Sequence, residues 1–315
     1  MAHRARAVTL LIGFLVLGLV PVLAAAANQP FYLDLFRRIM IFAIAAVSLD
    51  LILGFGGMVS FGHAAYLGLG AYAVAIPAFY GIHSGLVQWT LAIVLSGLVA
   101  LAIGAVSLRT SGVSFIMITL AFAQMLYYLG ISIDAWGADD GMRLARRSQF
   151  GGVLDLTNAY VFYYVVFAVL VVLLWLGGRL IDARFGVVIR SARSNEPRMR
   201  AIGFSTFRYK LTAFAIAGAV CGLAGALLAN QTEYLTPSYM HWTRSGDIMV
   251  MVILGGMGTL YGPVLGAVVF LLLEDVLSAW TVHWQIVLGP LLVLIVLYAR
   301  HGLYGLLPGA TSGDA

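Results

Sequence analysis

Charge is what this chain has least of. Only 10% of its 315 residues are Asp, Glu, Lys or Arg, whereas 62% are hydrophobic, and the mean hydropathy is +0.99. A water-soluble globule of that composition would lack the polar surface to cover its core, so the bilayer is the expected solvent. Cysteine is nearly missing as well. Cys221 stands alone, which excludes an intrachain disulfide and a cysteine-based metal cluster and leaves the redox compartment open. Lysine occurs once, as Lys210 between Tyr209 and Leu211. The Gly-x-x-x-x-Gly-Lys-Ser/Thr loop, whose lysine contacts nucleotide phosphates and whose hydroxyl helps to bind magnesium, is therefore absent from the sequence. So is a His-Glu-x-x-His array, which leaves His63 without the company of a metal ligand or catalytic base, and His83, His241 and His283 fall near expected loops. No catalytic residue is assigned, because no paired acids or nucleophile and base share one expected helix face. A site assembled from distant helices is invisible to spacing.

What is present is apolar length. Runs bounded by Gly, Pro or charge occupy about 7–27, 39–57, 62–80, 87–108, 113–131, 159–178, 211–230, 247–258, 262–280 and 283–299. With roughly 20 apolar residues needed for a helical span, these ten segments use most of the chain. They are apolar all round and rich in Gly, and they lack the alternation of a barrel strand. The expected fold is all-α: one polytopic transmembrane helical bundle over residues 1–315, of about ten segments, some of them broken. Residues 7–27 are long enough to span and are read as a retained first helix, with a cleaved signal ending near Ala24 to Ala27 as the alternative.

Basic residues set the expected orientation. The formal net charge of +5 is no nucleic-acid signature, because the arginines sit beside apolar runs, where they determine topology. The 179–210 stretch carries Arg179, Arg184, Arg190, Arg193, Arg198, Arg200, Arg208 and Lys210 against only Asp182 and Glu196, so it is expected to be a cytoplasmic loop. Counting outward places Arg4, Arg6, Arg109 and Arg300 on the same side, with both termini cytoplasmic, and leaves Arg37 and Arg38 on the opposite one. The near-neutral 132–158 stretch suits the outside.

Two segments break the helical pattern. Residues 53–72 read LGFGGMVSFGHAAYLGLGAY and residues 254–267 read LGGMGTLYGPVLGA. Both carry Gly-Gly-Met, then a hydroxyl residue, then another Gly, and Pro263 suits the first turn of a restarting helix. Irregular backbone at membrane depth is tolerated only against protein or a polar cavity. Paired interruptions in two halves of a chain point to a transport pathway, while the plainer reading is glycine for close helix packing. On the first reading Ser60, Gly62, His63, Thr259 and Gly262 surround a central pathway. Ser60 and Thr259 either line it or bond back to a helix carbonyl, and His63 orients the broken segment. Asp50, in an apolar helix just before the first break, is either a proton- or substrate-handling group, as in an ion-coupled secondary transporter, or a hydrogen-bond partner of a neighbouring helix. Cys221 reads as a small packing residue.

Gly57 to Tyr66 (GMVSFGHAAY) resembles the signature of the M-type permease subunits, called LivM, of branched-chain amino acid ABC importers. Residues 112–124 (GVSFIMITLAFAQ), 195–225 (NEPRMRAIGFSTFRYKLTAFAIAGAVCGLAG) and 254–267 are similar to that family in the same order, so the resemblance covers most of the chain. It implies a non-enzymatic permease of the bacterial inner membrane. Its implied partners are an H-type permease, two ATPase chains that carry ATP and magnesium, and a periplasmic amino-acid-binding protein. Leucine, isoleucine and valine are the implied default cargo, with urea, short amides and aromatic acids carried by related systems. Asp50 departs from the amide usual near that position. Residues 195–203 resemble the cytoplasmic Glu-Ala-Ala loop that contacts the ATPase, which implies coupling roles for Glu196, Arg198, Ala201 and Gly203. Glu196 lies seven residues before Gly203 instead of six, and Pro197 and Arg198 replace small residues. Physically, Pro197 suits the first turn of a short helix, Glu196 complements its positive end and Gly203 can end it.

Overall fold

A computed structural model describes residues 2–26, 29–151, 154–298 and 302–305. Ala27, Arg300, the C-terminal end and the side chains of Arg4 and Arg6 lie outside the described residues. In chain order the elements are α1 (Ala2–Ala26), α2 (Pro30–Asp50) continuing as a π-helical turn (Leu51–Phe55), α3 (His63–Phe79), α4 (Gly85–Ser107), α5 (Val113–Ile131), β1 (Met142–Arg143), α6 (Ala159–Asp182), α7 (Arg184–Ser194), α8 (Glu196–Ala201), α9 (Thr206–Thr232), β2 (Tyr234–Leu235), α10 (Trp242–Gly255), α11 (Gly262–Trp280), α12 (Trp284–Tyr298) and α13 (Gly302–Gly305). Among the described residues, six helices are long and apolar enough to cross a membrane: α2 with its π turn, α4, α5, α6, α9 and α11. Shorter apolar helices include 13–26, α3 and 284–295.

Helices α2 and α9 sit at the centre, and small residues let them. The α2 face from Ile39 to Ala46 is almost wholly buried. In α9, Gly225 lies against the Leu67 carbonyl of α3, and Gly70 of α3 lies against the Gly222 carbonyl of α9, so a methyl group at either position would overlap backbone. Such backbone proximity is how membrane helices gain packing without a hydrophobic driving force. Around this centre, α4, α5 and α6 expose apolar side chains such as Leu98, Met117 and Trp175, as lipid-facing helices do. Pro21 interrupts α1 and removes the N–H that would pair with the Leu17 carbonyl. The Tyr163 hydroxyl of α6 donates to that carbonyl at 2.6 Å, so the defect in one helix becomes its attachment to another.

Two sequence expectations are corrected. Helix α2 begins at Pro30, nine residues before the expected start, because Arg37 and Arg38 lie inside the helix. Arg37 pairs with Asp34 one turn back and stands over the Phe162 ring, and Arg38 pairs with Glu274 at 3.0 Å. Their charges are matched by acids, which accounts for cations on the side where the arginine count did not want them. The 179–210 stretch is likewise no open loop, because α6 runs on to Asp182 and α7 and α8 fill most of the remainder. Helix α7 buries Val188, Ile189 and Ala192, while Arg184 and Arg190 are exposed, an amphipathic pattern hidden by charge density. At the opposite end of α6, roughly 36 Å away at 1.5 Å per residue, the 132–158 segment pairs β1 antiparallel with β2.

Candidate functional site

The first break spans residues 56–62 between the π turn and α3, and the second spans residues 256–261 between α10 and α11. The fold puts them side by side. Asp50, the last residue of α2, is buried, and its Oδ1 accepts a hydrogen bond from the Gly258 amide at 2.9 Å. Gly54 fits between them, since a Cβ there would overlap both Asp50 Oδ1 and the Gly258 nitrogen. This bond satisfies a backbone N–H that the interruption of a membrane helix left unpaired.

The first break is held by side chains from several helices. Thr119 Oγ1 of α5 accepts from the Phe61 amide at 3.3 Å, and Ser245 Oγ of α10 accepts from the Ala64 amide at 2.9 Å. Ser60 Oγ accepts from the Gly62 amide at 3.2 Å. These acceptors serve the orphan N–H groups around the start of α3, where Gly62 has no capping side chain to offer. His63 is fully buried, and its Nε2 lies 2.8 Å from Ser48 Oγ. The single hydroxyl proton of Ser48 goes to the Ala45 carbonyl at 2.7 Å, so Nε2 carries the proton and donates. The His63 ring meets Tyr66 edge-on, and the Cys221 thiol donates to the His63 carbonyl at 3.4 Å.

The second break is simpler. Thr259 Oγ1 donates back to the Gly256 carbonyl at 2.7 Å, and Gly262 begins α11 with Pro263 beside it. A side chain at Gly262 would meet the Gly256 carbonyl at 2.7 Å, and one at Gly62 would meet the Thr119 carbonyl at 3.0 Å. A bulky substitution at either glycine would therefore meet neighbouring backbone. Sequence reasoning missed Ser48 and Thr119, whose signal is a hydroxyl in an apolar run, and Ser245, which sits among the polar residues Thr243, Arg244 and Asp247.

Two cavities flank the paired breaks. One of about 270 Å³ is lined mainly by aliphatic side chains of α2, α6 and α9, with Ser48 and Asp50 at its edge. The other, of about 410 Å³, is polar and lies where residues 56–59 meet the α4–α5 connection and α7–α8, with Arg109, Arg193, Glu196, Arg200 and Lys210 in its wall. None of the five expected pathway residues lines either cavity. Among the described residues no group of three or more His, Cys, Asp and Glu gathers as a metal site.

Beside the polar cavity, Asn195 ends α7 and caps α8, its side chain accepting from the Arg198 amide at 3.0 Å. Pro197 stands in the first turn of α8, and Gly203 takes a φ of 93° just beyond it, the left-handed conformation that glycine supplies at a helix end. Glu196 accepts from Lys210 at 2.5 Å, Arg200 at 2.6 Å and Thr206 at 2.9 Å. Burial disfavours its charged form, but these three donors outweigh that effect and hold the Glu196 carboxyl below the usual glutamate range. Arg198 and Ala201 are exposed on α8, available to a partner.

A polytopic helical bundle with two helix interruptions packed together, and a basic helical projection beside them, defines a multi-pass transport permease. The chain belongs to the family described as the permease component of the branched-chain amino acid transport system, whose model matches residues 31–297. It is 28% identical to the high-affinity branched-chain amino acid transport system permease protein LivM of Salmonella typhimurium, over 91% of this chain and 74% of that protein. It is 22% identical to a probable LivM permease of Methanocaldococcus jannaschii, over 88% and 94%. With the LivH permease of the same kind of system in Escherichia coli it shares 23% identity over 84% and 91%. No solved structure matches it. The chain is accordingly a permease subunit of an ABC importer, and its relatives are transport proteins.

Proposed function

We propose that this subunit passes branched-chain aliphatic amino acids inward across the bacterial cytoplasmic membrane. It works beside an H-type permease, two ATPase subunits that hold ATP and magnesium, and a periplasmic amino-acid-binding protein that selects the cargo. The names of the relatives support the cargo. The observation that carries the mechanism is the joining of two helix breaks by Asp50 and Gly258 beside the polar cavity that α8 borders. Substrate passes next to these breaks, whose shape Ser60, Gly62, His63, Thr259 and Gly262 maintain. Helix α8, with Glu196, Arg198, Ala201 and Gly203, sits in a groove of the ATPase. The arginine excess of residues 179–210 puts this end in the cytoplasm with both termini, and residues 132–158 outside.

Three measurements test the reading. In a complex reconstituted with its binding protein, leucine uptake should require ATP. Gly203→Asp should remove substrate-stimulated ATP hydrolysis while the permease still inserts, and full retained activity would exclude α8 as the coupling element. A cysteine placed at position 195 on a Cys221-free background should resist an impermeant reagent added outside intact cells, and labelling would overturn the orientation.

A further inference from the structure

We propose that Arg193 is the positioning residue through which movement of α8 reaches both helix breaks. The inference rests on α8 being the ATPase contact. Arg193 lies in the last turn of α7, and its guanidinium donates to the carbonyl of Gly54. That carbonyl belongs to the π turn at the end of α2, where helical geometry leaves acceptors without donors and where a cation complements the negative end of the helix dipole. The stem of Arg193 runs beneath Gly57, close enough that a Cβ there would stand 2.8 Å from Arg193 Cγ.

From Gly54 the contacts go on to the second break. Gly54 is wedged against Asp50 Oδ1 and the Gly258 nitrogen, the two atoms that tie the breaks together. In the other direction, α7 and α8 are separated by Asn195 alone, which ends one helix and caps the other. Little slack remains between α8 and Gly54, so a push on α8 is delivered to the π turn and then to Gly258. A π turn suits such a role because single π turns within helices occur frequently at functional sites. Glu196 also ties α8 to the start of α9 through Lys210; that helix reaches the start of α3 through Cys221 and the His63 carbonyl, whereas Arg193 bonds the π turn that Asp50 and Gly258 adjoin.

The link predicts a particular kind of defect. Arg193 is otherwise exposed to the polar cavity, so its loss leaves the core intact while the breaks are released from α8. In complexes reconstituted with ATPase and loaded binding protein, Arg193→Gln should preserve assembly and keep stimulated ATP hydrolysis within about twofold of wild type. Uptake should fall about five- to tenfold, the scale of one partly exposed charge-assisted hydrogen bond, so that fewer molecules cross per ATP. Arg193→Lys, which keeps a cationic donor, should recover part of that ratio. The proposal is overturned if uptake per ATP is unchanged in Arg193→Gln, whether both rates hold or fall together. It is also overturned if neither variant assembles, which would make Arg193 an assembly residue. The Gly203→Asp variant separates this outcome from a failure of the underlying reading. Intact coupling there removes α8 as the ATPase contact, whereas an unchanged ratio in Arg193→Gln removes the link alone.

Discussion

The two helix breaks carry similar sequences and are held in different ways. The first is surrounded: Thr119, Ser245, Ser60 and the Ser48–His63 pair each satisfy part of it, and Arg193 binds the turn that precedes it. The second is held by its own Thr259, by close backbone packing, by the Asp50 carboxylate at Gly258, and by packing of Tyr261 on Phe14 and of Leu260 beside Gly177 and Gly178. Side-chain hydrogen bonds from α2, α5 and α10 thus converge on the first break and the start of α3. The second break receives its side-chain hydrogen bond from another element at Asp50. The difference predicts that a single substitution around residues 56–62 is buffered by the remaining bonds, whereas loss of Asp50 removes the side-chain hydrogen bond that another element gives to residues 256–261.

The largest expected effect comes from forcing the two breaks apart. Gly54→Ala inserts a methyl group against Asp50 and Gly258, which should destabilise the subunit by at least about 1–3 kcal/mol, read as a lower melting temperature in nanodiscs. Next is Asp50. Asp50→Ala strands the Gly258 amide at a cost of about 1–3 kcal/mol and should lower uptake about tenfold or more, whereas Asp50→Asn keeps an acceptor and should retain at least about half. Abolished uptake in Asp50→Asn would instead favour the proton-handling role of an ion-coupled carrier.

Smaller effects sharpen the contrast. Ser48→Ala removes one of several supports of the first break and should cost about 1 kcal/mol without changing uptake per ATP. Thr259→Val removes the back-bond of the second break at about 0.5–1 kcal/mol and should change the uptake rate more than the melting temperature. The smallest effect is at Glu196. Because its folded pKa is depressed, its contribution is fully present above the unfolded glutamate value of about 4.3 and disappears as pH falls through the lower folded value. The stability difference between wild type and Glu196→Gln should therefore stay flat from pH 8 to about pH 5.5 and shrink in stronger acid, and a difference that grows with acidity would contradict the assignment.

The helical bundle was legible because membrane helices announce themselves by apolar length, and both breaks were legible because Gly-Gly-Met followed by a hydroxyl has no place inside a regular span. The start of α2 was obscured by Arg37 and Arg38, although Asp34, one turn before Arg37, was the visible sign that a charge could be carried inside the helix. Helix α7 was hidden by arginine, with Val188, Ile189 and Ala192 as its faint apolar stripe. The bonds from Arg193 to Gly54 and from Asp50 to Gly258 were not legible at all. Their partners lie 139 and 208 positions apart, and no local pattern encodes which distant backbone group a side chain will meet.

The segment between α5 and α6 has a consequence for whatever lands on that end of the molecule. Its β1 is stitched to β2. The Ser148 amide donates to Asn230 at 2.7 Å, and the Ser148 hydroxyl donates to Gln88 at 2.5 Å. Arg147 pairs with Glu233 at 2.7 Å. On the proposed orientation, a binding protein docking here would meet a deck already fastened at several points to α4 and α9 and would spend little of its binding free energy on ordering chain. The same fastening joins the deck directly to the end of α9, one of the two helices at the centre of the bundle.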